Sequence, residues 1–306
     1  MESRSGPVCG RAGIVAKPDG DAVTTTSSDP AADLRLLHTQ LPTGRYLADL
    51  WARRDFAVAM PLEELRVSHQ DTLLGNIWHL GNPLLYAGVY YFVFGVLLGV
   101  DRGVPNFPLW LMVGVFSFHL TTRTVNRGAK AVSGNRGLMR AIRFPRALLP
   151  ISVVISQLLT FGFQLAVLFA VALGTGEGIS RRWLALPLVL LVHTAFNLGL
   201  AFIAARMNDS FRDVQEILPF IFRLLAFVSG VMFPIDIRLG RADIPPQLEL
   251  LLNLNPLVPL LNMYRWVFQG LPVGLGSTVY AIAVSGLMLV FGFWYFRAAE
   301  LRYGRS

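Results

Sequence analysis

Charged residues are scarce in this chain of 306 residues: Asp, Glu, Lys and Arg make up 15% of it, whereas they make up about a quarter of an ordinary soluble domain. Hydrophobic residues make up 54%. Five stretches contain no charge, and each can supply the roughly 20 residues with which a helix crosses a bilayer. These stretches are residues 72–100, 103–122, 147–176, 183–205 and 266–296. The composition argues against a water-soluble globule.

Cysteine and lysine are almost missing. The single Cys9 excludes a disulfide within the chain. Neither Lys17 nor Lys130, the two lysines, is followed by Ser or Thr, so the chain has no GxxxxGKS/T phosphate-binding loop. If ATP is used, another polypeptide must hydrolyse it. The sequence also lacks HExxH and GxSxG motifs. We therefore expect no catalytic residue and no metal site, and we interpret His119 and His193 as hydrogen-bonded packing residues, with catalysis as the alternative.

A sixth apolar stretch, residues 217–234, holds one charge, Arg223. Only a helix satisfies its own backbone in hydrocarbon over such runs. We therefore expect an all-α integral membrane protein with six transmembrane helices in residues 45–306. Residues 1–44 are polar, lack the apolar core of a signal peptide and are predicted to be a disordered cytosolic tail. The predicted spans are residues 78–100, 108–123, 149–174, 183–205, 216–234 and 274–297.

Lysines and arginines are divided unequally between the two sides of these spans. Sixteen fall on one side, without the tail, and six on the other, where Arg265 is counted. The positive-inside rule then places both termini in the cytosol. The formal net charge of +8 has the same explanation, so nucleic acid is not an expected partner.

Three connecting segments have patterns of their own. Residues 45–59 predict an amphipathic helix in the cytosolic interface, with Trp51 at headgroup level and Arg53 and Arg54 near anionic lipid. Residues 244–270 contain two apolar pieces, each too short to span the bilayer, which predict re-entrant or interfacial helices.

The cytosolic sequence NRGLMRAIRFPRALLP is the third segment. It predicts a short helix with an apolar cluster of Leu138, Met139 and Ile142. Arg136 and Arg140 begin a basic row on the same helix. Such a helix suits a groove on a partner protein. The alternative is a loop helix that rests on the membrane.

Four segments follow one another around the predicted spans: LLGNIWHLGNPLLYAGVYYFVFGVLLGV, NRGLMRAIRFPRALLP, FRDVQEILPFIFRLLAFVSGVMFPI and NPLVPLLNMYRWVFQG. In this order they resemble the membrane subunit of type-two ABC exporters, specifically the polysaccharide exporters of the O-antigen and galactan kind. The sequence LMRAIRFPRALLP is similar to that of actinobacterial galactan exporters. The resemblance covers residues 45–306 and leaves the tail unmatched.

The resemblance implies a permease without enzymatic activity in a bacterial plasma membrane. Two copies of the chain would pair with two copies of an ATP-binding cassette ATPase, which would hold ATP and Mg²⁺, and the substrate would be a lipid-linked polysaccharide. The family's coupling helix corresponds to residues 135–144, and its re-entrant pair to residues 244–270. Its gate helix, thought to meet the lipid pyrophosphate, corresponds to residues 46–58 and so to Trp51, Arg53 and Arg54.

A channel for sugars should be lined with aromatic residues, and Tyr86 and Tyr90 share one face of the first span. The alternative is that they face lipid. Arg223 needs a partner or water within the membrane, unless it reaches an interface. Two other functions stay open: an exporter of drugs or other lipids, and an integral-membrane transferase acting on lipid-linked sugars.

Overall fold

The computed structural model describes residues 42–67, 78–97, 99, 104–142, 144–232, 254–300 and 303. These residues belong to one unit, Leu41–Ser306. Nearly all of the predicted tail and the first part of the predicted re-entrant pair lie outside the described residues. So does Arg143, the third member of the predicted basic row.

The described residues form ten α-helices and no β-strand. A π-helical segment, Tyr91–Leu97, continues the third helix, and a 3-10 turn, Arg181–Ala185, precedes the seventh. The helices are α1 Thr43–Ala52, α2 Arg54–Val67, α3 Trp78–Tyr90, α4 Phe107–Ser133, α5 Arg136–Ala141, α6 Leu148–Gly174, α7 Leu186–Ser210, α8 Val214–Val228, α9 Leu257–Gln269 and α10 Leu275–Ala298.

Three described helices are long and apolar enough to cross a membrane: α6, α7 with its preceding turn, and α10. Gly81–Leu97 forms a shorter apolar helix. These elements establish an all-helical membrane protein. The number of six spans stays a prediction.

The helix predicted to end near residue 123 continues to Ser133. Its basic residues suggested a loop, but Ala129 and Val132 are fully buried beside them. At Gly128 the helix also approaches α7 so closely that a Cβ would lie 2.8 Å from the Ala201 Cβ. Packing therefore extends α4 beyond the apolar stretch, and Arg123 and Lys130 belong to the helix.

Two further boundaries differ from the sequence prediction. The helix predicted over residues 45–59 is broken at Arg53, where α1 ends and α2 begins. The break allows α2 to pack on α6, with the Glu64 carboxylate accepting hydrogen bonds from Ser156 and Arg127. The span predicted over residues 216–234 ends as a helix at Val228, because Gly230 takes a left-handed conformation with φ +64°.

The core centres on α7, which packs against α4 on one side and α10 on the other. Its closest approach to α10 joins two glycines: a Cβ at Gly292 would lie 2.3 Å from the Gly199 carbonyl oxygen. Small residues allow helix backbones to meet in this way in membranes, where van der Waals packing drives association.

We predict that Gly292→Ala lowers stability by about 1–3 kcal/mol, because the new methyl group must push α10 away from α7. Gly286→Ala is the matched control on α10, since a Cβ there meets nothing within 4 Å. It should be neutral or stabilising, because Ala favours a helix over Gly. Thermal unfolding in detergent measures both, and equal midpoints would contradict the close helix contact.

Candidate functional site

A cleft of about 430 Å³ lies between α3 with its π-helical continuation, α4 and α8. Aromatic rings and polar groups line it together. Its lining residues are Tyr90, Phe94, Val115, Phe118, His119, Thr122, Asn126, Pro219, Phe222, Arg223, Ala226, Phe227, Val231 and Met232.

The polar groups of the cleft are arranged by the helical repeat of α4. His119, Thr122 and Asn126 lie three and four residues apart and therefore share one face. Phe118 of α4 meets Phe222 of α8 edge to face, with ring centroids 6.3 Å apart. The polar face thus runs along one wall, with the aromatic contact beside it.

Two of the residues predicted from sequence line this cleft, and a third lies beside it. Tyr90 and Arg223 are in the lining. Tyr86 stands one turn before Tyr90, and its ring meets His119 edge-on at 5.6 Å. Residues that were predicted for separate reasons therefore lie close together.

Arg223 is exposed in this chain, and its guanidinium makes no hydrogen bond or ion pair with the residues that the structure describes. It lies nine residues into α8, in a stretch that is otherwise apolar. A charge at such a depth is costly unless it meets water or a partner group. The cleft is therefore a place for water or for a polar ligand.

The opposite side of α8 has a different character. A recess of about 400 Å³ lies there between α7 and α8, and Asn255 is the one polar residue among its lining side chains. Phe222 contributes to both spaces. One helix therefore separates a polar cleft from an apolar recess.

Helix α9, the second half of the predicted re-entrant pair, is anchored in the bundle by two neighbouring residues. The Tyr264 hydroxyl lies 3.1 Å from Nδ1 of His193, whose Nε2 lies 2.7 Å from the Thr121 hydroxyl. His193 thus has the hydrogen-bonded packing role that its sequence suggested.

Arg265 is the second anchor. From its place in the sequence it is counted with the external segment that holds the predicted re-entrant pair, and in the structure it is only 5% exposed. Its guanidinium donates to the Gly230 carbonyl oxygen at 2.8 Å and stacks 3.6 Å from the centre of the Trp110 ring. Gly114 leaves space for this guanidinium, because a Cβ at residue 114 would lie 2.9 Å from it. Arg265 therefore holds the end of α8 next to the cleft.

The predicted coupling helix is shorter than expected. It ends at Ala141, and Ile142 is extended. The predicted apolar cluster of Leu138, Met139 and Ile142 therefore does not lie on one helix. Ile142 is 47% exposed, whereas Met139 packs on the buried cluster around Val132.

The other residues of this segment also differ in exposure. Leu138 is half-buried and Arg140 exposed, while Arg136 lies 3.7 Å from the Asp209 carboxylate. Met139, Ile142, Phe144 and Arg146 surround a recess of about 120 Å³. The segment therefore offers one exposed apolar side chain beside a small recess.

The predicted gate residues lie on an open surface around the break between α1 and α2. Trp51 is 70% exposed, and the Arg54 guanidinium lies 5.1 Å from the centre of its ring. Arg53 pairs with Asp49 at 3.3 Å. All three side chains remain accessible to a ligand or to lipid.

Sequence reasoning missed one hydrogen-bonded group near the end of α10. The Glu300 carboxylate accepts hydrogen bonds from the Tyr46 hydroxyl at 2.8 Å and from the Arg146 backbone at 2.9 Å. No periodic pattern connects Tyr46 with Glu300 along the chain. Among the described residues, no three His, Cys, Asp or Glu side chains are placed to hold a metal ion.

Comparison with known proteins gives consistent similarities. Residues 62–269 match the family described as ABC-2 type transporter. The chain is 29% identical to the O-antigen export system permease protein RfbA of Myxococcus xanthus over 246 residues, which are 80% of this chain and 92% of the relative. It is 25% identical to RfbA of Klebsiella pneumoniae, over 70% of this chain and 80% of the relative. It is 26% identical to the polysialic acid transport protein KpsM of Escherichia coli, over 76% and 88%.

We predict that the cleft is hydrated, which a pair of cysteine variants can test. Thr122 lies in the cleft, and Val290 lies on the exposed face of α10. Each lies fifteen residues after the first residue of its helix. The two helices begin at the same end of the bundle, because Gln269, shortly before α10, donates to the Asn106 carbonyl oxygen next to α4.

In a Cys9→Ser background, Thr122→Cys should react with a water-soluble maleimide, roughly tenfold faster than Val290→Cys, because only the thiolate reacts and it forms in water. Labelling of the native membrane followed by mass measurement gives both rates. Equal rates, or faster labelling at residue 290, would contradict a hydrated cleft.

Proposed function

The chain belongs to the ABC-2 type transporter family, and we propose that it is the membrane-spanning permease subunit of an ATP-driven polysaccharide exporter. Its substrate would be a polyprenyl-pyrophosphate-linked glycan of the O-antigen or galactan type, moved from the cytosol across the plasma membrane. The similarity to permeases named for polysaccharide export carries this proposal, since the chain covers 80–92% of those three relatives.

The chemistry of the cleft suits a carbohydrate. Aromatic rings stack on the apolar faces of sugars, and Tyr90 and Phe94 supply such rings. Hydroxyl and amide groups bond to sugar hydroxyls, and Thr122 and Asn126 supply these groups. Arg223 adds a positive charge for anionic parts of the substrate. We therefore assign the path of the glycan to this cleft.

A second copy of the chain would close the cleft. The surface beside it exposes large apolar side chains on α3 and its continuation, such as Leu85 and Phe92, and on α8, such as Phe220. Arg223 lies on the same helix as Phe220 and cannot face hydrocarbon without cost. A homodimer that joins these surfaces would enclose Arg223 in a water-filled path. The proposal includes six spans with both termini in the cytosol of a bacterial inner membrane.

ATP hydrolysis would take place in a separate subunit. Two copies of an ATP-binding cassette ATPase, with bound ATP and Mg²⁺, would meet the cytosolic face at the coupling segment, residues 135–146. Ile142 is exposed there beside the recess that it forms with Met139, Phe144 and Arg146. An apolar side chain in this position can enter a groove on the ATPase.

The exposed surface around Trp51, Arg53 and Arg54 is assigned to the lipid pyrophosphate. A guanidinium donates two parallel hydrogen bonds to a phosphate, which a lysine or a neutral side chain cannot do. The stack of Arg54 on Trp51 holds one guanidinium at this surface. The substrate would therefore be recognised at α1 before its glycan enters the cleft.

We predict that Ile142→Asp uncouples the exporter. A carboxylate is penalised in an apolar groove, so ATP hydrolysis should continue in the reconstituted complex while export of lipid-linked glycan into vesicles stops. Ile179→Asp is the control, because Ile179 is also an exposed isoleucine but lies between α6 and the 3-10 turn. It should export like the unchanged protein.

Export by Ile142→Asp at the unchanged rate would reject the coupling role of this segment. A complex that hydrolyses ATP and moves a drug or another lipid, but not lipid-linked glycan, would reject the proposed substrate and favour the alternative exporter.

A further inference from the structure

Glu300 joins three cytosolic segments that are distant in sequence. Its carboxylate accepts a hydrogen bond from the Tyr46 hydroxyl of α1 at 2.8 Å and one from the Arg146 backbone at 2.9 Å. The Arg146 guanidinium also donates to the Glu300 backbone carbonyl. Glu300 itself follows the end of α10.

The Tyr46 hydroxyl completes this group. While it donates to Glu300, it accepts a hydrogen bond from the Ala147 backbone at 3.3 Å. Burial, together with the nearby Glu300 carboxylate, raises the pKa of Tyr46, so the hydroxyl keeps its proton and remains a donor. The hydroxyl therefore contacts two of the three segments directly.

Tyr46 holds α1 to the bundle, together with Leu50, which packs on the same cluster, and Thr43, whose hydroxyl accepts a hydrogen bond from Arg297. Of the ten residues of α1, all of which are described, only Tyr46 is buried. Its ring lies 6.1 Å from the Phe293 ring, and the Arg297 guanidinium lies 5.0 Å from its centre. The helix ends six residues later at Ala52, before the break at Arg53, so α1 is a short helix separate from α2.

The positions of these residues along the chain show which segments the hydrogen bonds connect. Arg146 and Ala147 follow α5 and the exposed Ile142 and lead directly into α6. Tyr46 lies on the same helix as Trp51. The hydrogen bonds therefore connect the end of the coupling segment with the segment assigned to the pyrophosphate, and this part of the argument rests on the proposed function.

We propose that Tyr46, Glu300 and Arg146 form a link through which a movement of the coupling segment repositions α1. In this role Tyr46 and Glu300 are positioning residues, because neither needs to touch the substrate or the ATPase. A displacement of residues 142–147 would pull on Tyr46 through Glu300 and Ala147. The displaced α1 would then carry Trp51 and Arg53 with it.

Tyr46→Phe tests the link because it removes the hydroxyl and keeps the ring. Tyr303→Phe is the matched control: Tyr303 is also buried at the cytosolic end, and among the described residues its hydroxyl bonds only to the nearby Phe296 carbonyl oxygen at 2.8 Å. In the permease alone, Tyr46→Phe should raise amide hydrogen exchange in α1 roughly tenfold, as expected from losing a hydrogen bond to a charged group. Tyr303→Phe should leave α1 unchanged.

Transmission is measured in the complex with the co-purified ATPase. Spin labels at Ala48 of α1 and Met207 of α7, both exposed, are introduced in a Cys9→Ser background. Addition of ATP should change their distance in the unchanged protein and in Tyr303→Phe, but not in Tyr46→Phe. Glu300→Gln should behave as an intermediate case, because its amide oxygen still accepts a hydrogen bond but carries no charge.

Several results would overturn the link. They are unchanged exchange in α1 of Tyr46→Phe, equal effects of the two tyrosine variants, and an ATP response that survives in Tyr46→Phe or is absent from the unchanged complex. A different result would reject the proposed substrate: ATP would move α1 normally, while lipid-linked glycan would neither stimulate hydrolysis nor be exported.

Discussion

A guanidinium at membrane depth must be surrounded by water, by hydrogen-bond acceptors or by an opposite charge. This chain meets that requirement in two different ways. The Arg265 guanidinium donates to the Gly230 carbonyl oxygen and stacks on the Trp110 ring. It fits there because Gly114 has no side chain. Arg223 is left open in the cleft. The first arginine makes a fixed joint, and the second requires that the surface around it be turned away from lipid.

The helices also differ in how tightly they pack against the rest of the bundle. Helices α4, α7, α9 and α10 are joined by backbone contact at glycines and by the buried Tyr264–His193–Thr121 hydrogen bonds. Helices α3 and α8 expose much of their surface, and α1 is buried at one residue. The segments assigned to substrate and coupling therefore belong to the less firmly packed part, which is where movement requires the least disruption of packing.

The sequence predicted helices α6, α7 and α10 well, because the absence of charge over more than twenty residues is a strong and local signal. It failed where packing overrode composition. The C-terminal part of α4 contains arginines yet continues as a helix, because Ala129 and Val132 are buried. The burial of Arg265 could not be predicted either, because its acceptor at Gly230 lies 35 residues away along the chain.

In the candidate site, too, some features could be predicted from the sequence and others depend on packing. Tyr90 and Arg223 could be named from periodicity and from the cost of a charge in an apolar stretch, but their meeting in one cleft depends on how α3 and α8 pack on α4. The Phe144–Pro145 pair disfavours helix at Phe144, but it does not account for the end of α5 at Ala141, three residues earlier. Tyr46 and Glu300 carry no local signal at all, because a single long-range hydrogen bond leaves no pattern in a sequence.

The central claim is that the cleft between α3, α4 and α8 carries the glycan. A photoreactive phenylalanine analogue at Tyr90, illuminated during ATP-driven export, tests it most directly. Trp294, an exposed aromatic residue of α10, provides the comparison site. The claim predicts an ATP-dependent adduct that contains sugar at residue 90 and none at residue 294. Export without any sugar adduct at residue 90, or equal adducts at both positions, would contradict it.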